Sequence, residues 1–261
     1  MPIDFTLTPE LEDIRLRVRT FIDEVVKPGE AQIGNPDDID RDDYINILLG
    51  MRQQARDAGL WMPHMPTEWG GMGLGHVQLA MVQAEAAKTY YGAFVLNCQA
   101  PDEGNMHTLL HWGTEEQKAK YLKALCDGYT MSCFAMTEPE VAGSDPTLIR
   151  TTAVQDGDEW VINGHKWFIS NARRASFAIL VCRTEDNPDL PQAANTAFIV
   201  DIPSDGWNRV REIETMHGGT GHSEIVIEDL RVPNANMLGG RGQGHLLGQY
   251  RLGPARLAHC M

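Results

Sequence analysis

The sequence predicts an α+β multidomain fold built from three parts. An N-terminal all-α helical domain is expected at residues 1–129, followed by an antiparallel β-barrel or β-sandwich domain at 130–236. The beginning of a C-terminal helical domain is expected at 237–261. Two observations predict this order: apolar residues recur at a helical period in the first half, and they alternate with polar residues from about residue 130.

The first predicted helix begins at Thr8, whose hydroxyl can accept from a free backbone N–H, with Pro9 at the first helical position. Pro28 and Gly29 are expected to end it. The apolar positions with helical spacing are Leu11, Ile14, Val18, Phe21, Ile22 and Val25.

Further helices follow in the same half of the chain. The spacing of apolar residues from 44 to 55 predicts a second helix, and Gly59 is its expected end. Trp61–Gly75 is rich in glycine and proline and is predicted to be a loop. Helical spacing resumes over His76–Tyr91 and continues in pieces up to His111.

The change from helix to strand falls shortly after a helix with clear ends. Thr114 and Gln117 form a capping box for a helix that runs through Leu125 and ends at Gly128. Alternating segments then predict seven strands: Met131–Met136, Arg150–Gln155, Glu159–Ile162, Lys166–Ser170, Phe177–Cys182, Ala197–Asp201 and Glu224–Glu228.

Two dipeptides between these segments predict hairpin turns. Asp156-Gly157 and Asn163-Gly164 both suit a turn that needs positive φ angles. Short strands joined by tight turns favour a compact antiparallel domain, either a barrel or a sandwich. After Pro233, a glycine-rich segment leads into a helix that is expected to be still running at Met261, and we interpret the chain as cut short there.

Composition excludes several classes of function. The net charge is −14, with no dense run of lysine or arginine, so nucleic acid and anionic membrane surfaces are poor partners. The five cysteines are odd in number and have no metal-ligand spacing, which indicates free thiols in a reducing compartment. Neither a targeting segment nor a membrane-spanning run is evident, so we expect a cytoplasmic protein; if the source is eukaryotic, a mitochondrial or peroxisomal location stays open.

Two segments of the β-domain carry the predicted chemistry. Phe134–Asp145 reads as a strand that ends in a loop of proline, glycine, serine and aspartate, where free backbone N–H groups can bind an anion. Lys166–Ser170 places an aromatic ring, Phe168, and a hydroxyl two residues apart on one strand face. A planar cofactor with a diphosphate tail would suit both segments. The alternative is an ordinary β-hairpin domain with a Gly/Ser turn.

In this order and spacing, the two segments closely resemble the signature of the acyl-CoA dehydrogenase family of flavoproteins. The domain order is also the family's, with the β-domain binding the flavin. Gly113–Gly128 resembles the segment before its flavin-binding strand, and Glu228–Pro233 resembles the exit from its β-domain. Arg251–Arg256 resembles the branch that contains family members ten and eleven of mammals.

The resemblance implies a set of site residues. Ser144 would contact both the FAD diphosphate and the acyl-CoA, Ser170 would bond flavin N5, and Phe168 stands where the family usually has tryptophan. Arg256 would lie near the substrate. The implied cofactor-binding residues are Phe134, Met136, Thr137, Gly143, Ser144, Phe168, Ile169 and Ser170. Phe134, Met136 and Thr137 would line the ring, the Thr137 hydroxyl bonding its polar edge. No metal is assigned, since His217 and His222 lack the helical spacing of a metal pair.

The reaction implied is FAD-dependent α,β-dehydrogenation of an acyl-CoA in fatty acid β-oxidation, with electrons passed to an electron-transfer flavoprotein by a homodimer or homotetramer. The family's catalytic glutamate is expected beyond Met261. Its alternative position is Ala255, no acidic residue follows Asp229, and His259 is the remaining titratable candidate. The chain alone is therefore expected to be inactive. An oxidase or monooxygenase of this architecture, or a non-catalytic flavin- or CoA-binding scaffold, stays open.

Overall fold

The computed structural model describes residues 6–36, 38–186, 189–216 and 221–258. The chain divides into two compact units, one formed by residues 1–103 with 254–261 and the other by Gly104–Gly253. Helices come first and a large sheet follows, in the predicted order. The predicted domain boundaries at 129/130 and 236/237 stay predictions.

The first half of the chain is helical, and its buried side chains include Val18, Ile22, Met51 and Met65. Its helices are α1 (Pro9–Phe21), α2 (Lys27–Ile33), α3 (Arg41–Asp57), α4 (His76–Ala86), α5 (Gly92–Val95), α6 (Asp102–Trp112), α7 (Glu115–Gln117) and α8 (Lys123–Asp127).

The predicted end of the first helix at Pro28 and Gly29 is wrong. A π-helical turn, Ile22–Val26, joins α1 to α2, and the helix ends only at Gly34, whose φ is +58°. Pro28 falls in the first turn after this wide turn, where its missing N–H is tolerated. Gly29 is needed for packing, because a Cβ there would lie 2.4 Å from the Met51 sulfur.

The other helical predictions mostly hold. Thr8 accepts from Leu11 N as predicted, α3 is followed by Gly59 at φ +66°, and 61–75 is a loop with one short 3₁₀ turn. Helix α4 ends at Ala86, earlier than predicted. The capping box of Thr114 and Gln117 is present, and the helix that it starts ends at Gly128.

Within the described residues, the second unit forms an eight-stranded sheet in the order β6-β7-β3-β2-β4-β5-β8, with β1 paired to β4. Most pairs are antiparallel, as predicted, but β1 and β2 both run parallel to β4. The strands are β1 (Ser132–Ala135), β2 (Thr152–Asp156), β3 (Glu159–Ser170), β4 (Phe177–Arg183), β5 (Asn195–Asp201), β6 (Trp207–Ile213), β7 (His222–Pro233) and β8 (Met237–Leu238).

Two strand predictions need correction. Asn163-Gly164 is a register shift inside the continuous strand β3 and not a hairpin turn. Gly164 is required there by close packing, since a Cβ would lie 2.3 Å from the Thr151 hydroxyl oxygen. Strand β6 was not predicted, because it lies at the edge of the sheet and the run 208–211 is exposed without alternation. The turn at Gly157, with φ +63°, is confirmed.

The last element is α9 (Gly244–Ala258), which confirms the predicted start of a helix after the glycine-rich segment. Its predicted continuation to Met261 lies outside the described residues. Cys98, Cys126, Cys133 and Cys182 are buried and are not disulfide-bonded, as predicted, and Cys260 also lies outside the described residues. No helix in the described part of the chain combines the length and apolarity that a membrane span requires.

Candidate functional site

The two sequence segments singled out above meet through their backbones. Trp167 N donates to Thr137 O at 3.0 Å, and the Thr137 hydroxyl donates to Trp167 O at 2.7 Å. The loop after β1 therefore lies beside the end of β3. Because the Thr137 hydroxyl gives its proton to Trp167 O, only its lone pairs remain for a ligand. The hydrogen bond from this hydroxyl to the polar edge of a ring stays a prediction.

The small-residue loop folds back onto Thr137. A Cβ on Gly143 would lie 3.3 Å from Thr137 Cγ2, so the position favours glycine. Asp145 N donates to Ala142 O at 3.0 Å, and the Asp145 carboxylate accepts from the Thr147 hydroxyl and N–H, which lowers the pKa of Asp145. Ser144 is exposed at the surface of this turn, where its hydroxyl is accessible.

The end of β3 is a bulge and not the regular strand that alternation predicts. Phe168 has φ +51° and is 46% exposed, while Ile169 next to it packs into the sheet core. The Ile169 side chain is therefore unavailable to a cofactor, and only its backbone could serve the predicted contact. Phe168 and Ser170 still meet on one side, at His222: the ring centroids are 6.2 Å apart and Ser170 Oγ lies 2.9 Å from His222 Nδ1.

Phe134 and Met136, both predicted to line a flavin ring, pack against α9. The Arg251 guanidinium lies over the Phe134 ring at 4.1 Å and donates through Nε to Asn105 Oδ1 at 2.9 Å. Asn105 in turn donates to the Ser132 hydroxyl at 2.8 Å. The buried Arg251 guanidinium thus covers one face of the Phe134 ring. The role of Phe134 in binding a cofactor stays a prediction.

A buried ion pair holds the start of the loop. Lys166 Nζ donates to Glu138 Oε1 at 2.8 Å and to Met136 O at 2.9 Å, and both side chains are essentially inaccessible. Glu138 also accepts from Arg150 N, Thr151 N and the Thr151 hydroxyl. Burial raises the pKa of Glu138, but the Lys166 ammonium and these hydrogen-bond donors lower it by more. The pKa of Glu138 is therefore below its ordinary value and the carboxylate is charged, while burial lowers the pKa of Lys166.

His165 ties the same loop to β7. Its Nδ1 lies 2.7 Å from Glu140 and its Nε2 lies 2.7 Å from Glu224, which Arg211 also contacts. Burial of the ring lowers the pKa of His165, but the hydrogen bonds to Glu140 and Glu224 raise it more. The hydrogen bond from Arg211 keeps the pKa of Glu224 below its ordinary value. In its protonated form the imidazole donates to both carboxylates, Glu140 through Nδ1 and Glu224 through Nε2.

We expect His165→Gln to lower the free energy of unfolding by about 0.5–1 kcal/mol at roughly pH 5.5, and by less at roughly pH 8.5. Because the folded pKa is raised, the stabilisation is complete below the ordinary value of 6.5 and is lost as pH rises through the raised value. Urea unfolding at both pH values measures this, with the exposed His76→Gln as control. An equal loss at both pH values would contradict it.

The remaining predicted residues lie elsewhere. Arg256 is exposed on the part of α9 that belongs to the other unit, so its role near a substrate stays a prediction. His217 and His259 lie outside the described residues.

Sequence reasoning missed Lys166, Arg251 and His222 as parts of the site. For Lys166 a signal was present: alternation from Trp160 through Ile162 assigns it to the buried face of β3. No comparable pattern marks the other two.

Comparisons with known proteins identify the family. Residues 8–129 match the acyl-CoA dehydrogenase N-terminal domain, and residues 133–230 match the acyl-CoA dehydrogenase middle domain. The chain belongs to the acyl-CoA dehydrogenase family. This confirms the resemblance inferred from the two motif segments.

Individual relatives support the predicted branch. Human acyl-CoA dehydrogenase family member 11 is 34% identical over 98% of this chain, and the chain covers 34% of its length. FadE2 of Mycobacterium tuberculosis, named as an acyl-CoA dehydrogenase, is 36% identical over 99% of the chain, which covers 65% of FadE2. A solved structure from Mycobacterium abscessus, also named as an acyl-CoA dehydrogenase, matches this chain with a TM-score of 0.88 and 31% sequence identity. The match covers 98% of this chain and 66% of the Mycobacterium abscessus chain.

The chemistry of the clustered side chains fits FAD, the cofactor that family members use. Phe168 offers an exposed aromatic face for a flat ring, and Ser170 offers a hydroxyl beside it. The exposed Gly143 and Ser144 offer a small, hydroxyl-bearing turn on the loop that packs against Thr137. An aromatic face, a neighbouring hydroxyl and an accessible small-residue turn are the groups that a flavin with a diphosphate tail requires.

Proposed function

We propose that this chain forms the FAD- and acyl-CoA-binding part of an acyl-CoA dehydrogenase, which introduces an α,β double bond into an acyl-CoA thioester and passes electrons to an electron-transfer flavoprotein. One observation carries the proposal: the mutual hydrogen bonds of Thr137 and Trp167 bring the loop after β1 beside the end of β3. Family membership supports the reaction class.

Each residue has a separate task in this proposal. Phe168 packs against the ring and excludes water from one face, while the Ser170 hydroxyl donates to the atom that accepts hydride. Gly143 allows the backbone to approach the diphosphate, and Ser144 donates to it and to the acyl-CoA. When bound, FAD supplies the two-electron acceptor for the reaction. The buried pair of Glu138 and Lys166 keeps the loop in place.

The base that removes the α-proton is proposed to lie beyond Met261. The chain spans about a third of the length of the human relative and 65% of the length of FadE2. Both relatives therefore contain residues that have no counterpart in this chain. Two nearby carboxylates are already committed, Glu138 to Lys166 and Glu140 to His165. The inactivity of the isolated chain, assembly as a homodimer or homotetramer and a cytoplasmic location remain predictions.

Titration of the chain with FAD, FMN and riboflavin, followed by quenching of flavin fluorescence, tests the proposal. We expect FAD to bind most tightly and riboflavin most weakly, because only FAD carries the diphosphate for the Gly143–Ser144 turn. Equal affinity for FAD and riboflavin would remove that turn from the site. Absence of FAD binding by both this chain and its full-length form would overturn the proposal.

We expect Ser170→Ala, in the full-length protein, to slow flavin reduction by an acyl-CoA more than it weakens FAD binding. The loss of one neutral hydrogen-bond donor is typically worth about 1 kcal/mol, roughly fivefold, and more where water is excluded. Stopped-flow reduction measures the rate, and Ser170→Thr, which keeps the hydroxyl, is the control. Equal losses in binding and reduction would mean that Ser170 only holds the ring.

A further inference from the structure

The β-bulge at the end of β3 sets the partner of Ser170. Before the bulge, Lys166 is paired with Ile225; after it, Ile169 is paired with Ser223 and Ser170 with His222. Without the inserted residue, the register of Lys166 would put Ser170 opposite Gly221. The bulge therefore creates a cross-strand pair of a hydroxyl and an imidazole.

This pairing is held in a strained backbone. Phe168, inside the bulge, has φ +51°, a left-handed conformation that is unfavourable for a non-glycine residue. The Phe168 ring is half exposed, and its centroid lies 6.2 Å from that of the His222 ring. Ser170 Oγ and His222 Nδ1 are 2.9 Å apart, and both residues are only partly buried. An aromatic face, a hydroxyl and an imidazole thus share one accessible side.

The direction of the Ser170–His222 hydrogen bond decides what Ser170 can do. A serine hydroxyl has one proton and two lone pairs. If His222 Nδ1 is bare, Ser170 donates to it and has only lone pairs for a ligand. If His222 Nδ1 carries a proton, His222 donates to Ser170 Oγ, and the hydroxyl proton is available to an acceptor atom. A neutral imidazole adopts one state or the other, set by its tautomer.

We propose that His222 is a positioning residue: it carries its proton on Nδ1, donates to Ser170 Oγ, and thereby commits the Ser170 hydroxyl proton to the acceptor edge of a ring bound against Phe168. The inference rests on the proposed function, because it needs a bound flavin with an acceptor nitrogen. It adds to that function a residue of β7 that acts through Ser170 and touches no reacting atom.

The position of the proton can be measured without any cofactor. Nitrogen-15 NMR of the histidine-labelled chain distinguishes the two tautomers of His222 by the shift of each ring nitrogen. His222→Asn identifies the resonances by their loss. We expect Nδ1 to be protonated in the free chain and after FAD addition. A bare Nδ1 overturns the inference, whether or not FAD binds.

A mutant cycle tests the consequence for the ligand. We expect His222→Phe to slow flavin reduction in the full-length protein about fivefold, no more than Ser170→Ala does, and His222→Asn, whose amide N–H replaces the Nδ1 donor, to restore most of the rate. In the Ser170→Ala background, His222→Phe should have no further effect, because its only route is through Ser170. A fivefold loss that persists in that background would show a structural role and overturn the inference. If no variant binds FAD, the proposed function fails for this chain, and the tautomer measurement still decides the position of the proton.

Discussion

Replacing Lys166 with methionine is expected to lower the free energy of unfolding by about 3–5 kcal/mol. Methionine keeps the apolar stem but removes the ammonium that neutralises Glu138 and donates to Met136 O. Both side chains of the pair are almost fully inaccessible, so solvent cannot replace the lost charge. Three remaining donors on Arg150 and Thr151 still contact the carboxylate, and they leave its charge unbalanced.

The ion pair of Lys120 and Asp201 provides a matched control. Its N···O distance is also 2.8 Å, but its side chains are 59% and 49% exposed. Lys120→Met is therefore expected to cost less than about 1 kcal/mol in urea unfolding. The double variant Lys166→Met/Glu138→Gln should recover most of the loss, because no buried charge remains. Equal costs for the two lysine replacements would show that the buried charge is not what stabilises the loop.

Local patterns predicted the order of the fold because they report on local geometry. The capping box at Thr114 and the turn at Gly157 depend on residues within one turn of each other, and both are confirmed. Pro28 failed as a helix end because a π-helical turn precedes it, and no pattern of single residues announces such a turn. Asn163-Gly164 failed because Gly164 is selected by contact with Thr151, a residue on the preceding segment.

The sequence predicted those residues of the candidate site that lie close together in the chain. The two motif segments named Phe168, Ser170, Gly143 and Ser144, and all four lie in the accessible part of the second unit. Strand alternation predicted that Phe168 and Ser170 share a face. In the structure they do so because of a bulge in which Phe168 has a positive φ. Such strain is decided by pairing with β7, which lies more than fifty residues away in the chain.

The residues that were missed act across long sequence separations. Arg251 reaches Phe134 from α9, and His222 reaches Ser170 from β7. Each lies in a segment whose own pattern describes a helix or a strand well, so nothing local marks it as part of a site. Lys166 is the exception, because a charged residue on the buried face of a strand must have a partner, and only the partner's identity required the structure.

The other large effect is expected at the exposed turn. Ser144→Asp should weaken FAD binding by about 2 kcal/mol, roughly 30-fold, because a second carboxylate beside Asp145 would repel the diphosphate at close range. Asp145 is already negative, since its hydrogen bonds with Thr147 lower its pKa. Ser144 is exposed, so solvent is expected to remove part of the repulsion that a buried site would show.

Fluorescence titration of the chain with FAD measures the effect, with Ser144→Asn as an uncharged control of the same size. Asn retains a donor and lacks the charge, so it should lose no more than about fivefold. The difference between the two variants should shrink as salt is raised, because the Debye length falls from about 10 Å at 0.1 M to about 3 Å at 1 M. If Asp and Asn bind FAD equally at low salt, the diphosphate does not lie at this turn, and Gly143 and Ser144 must be removed from the proposed site while Phe168 and Ser170 stay.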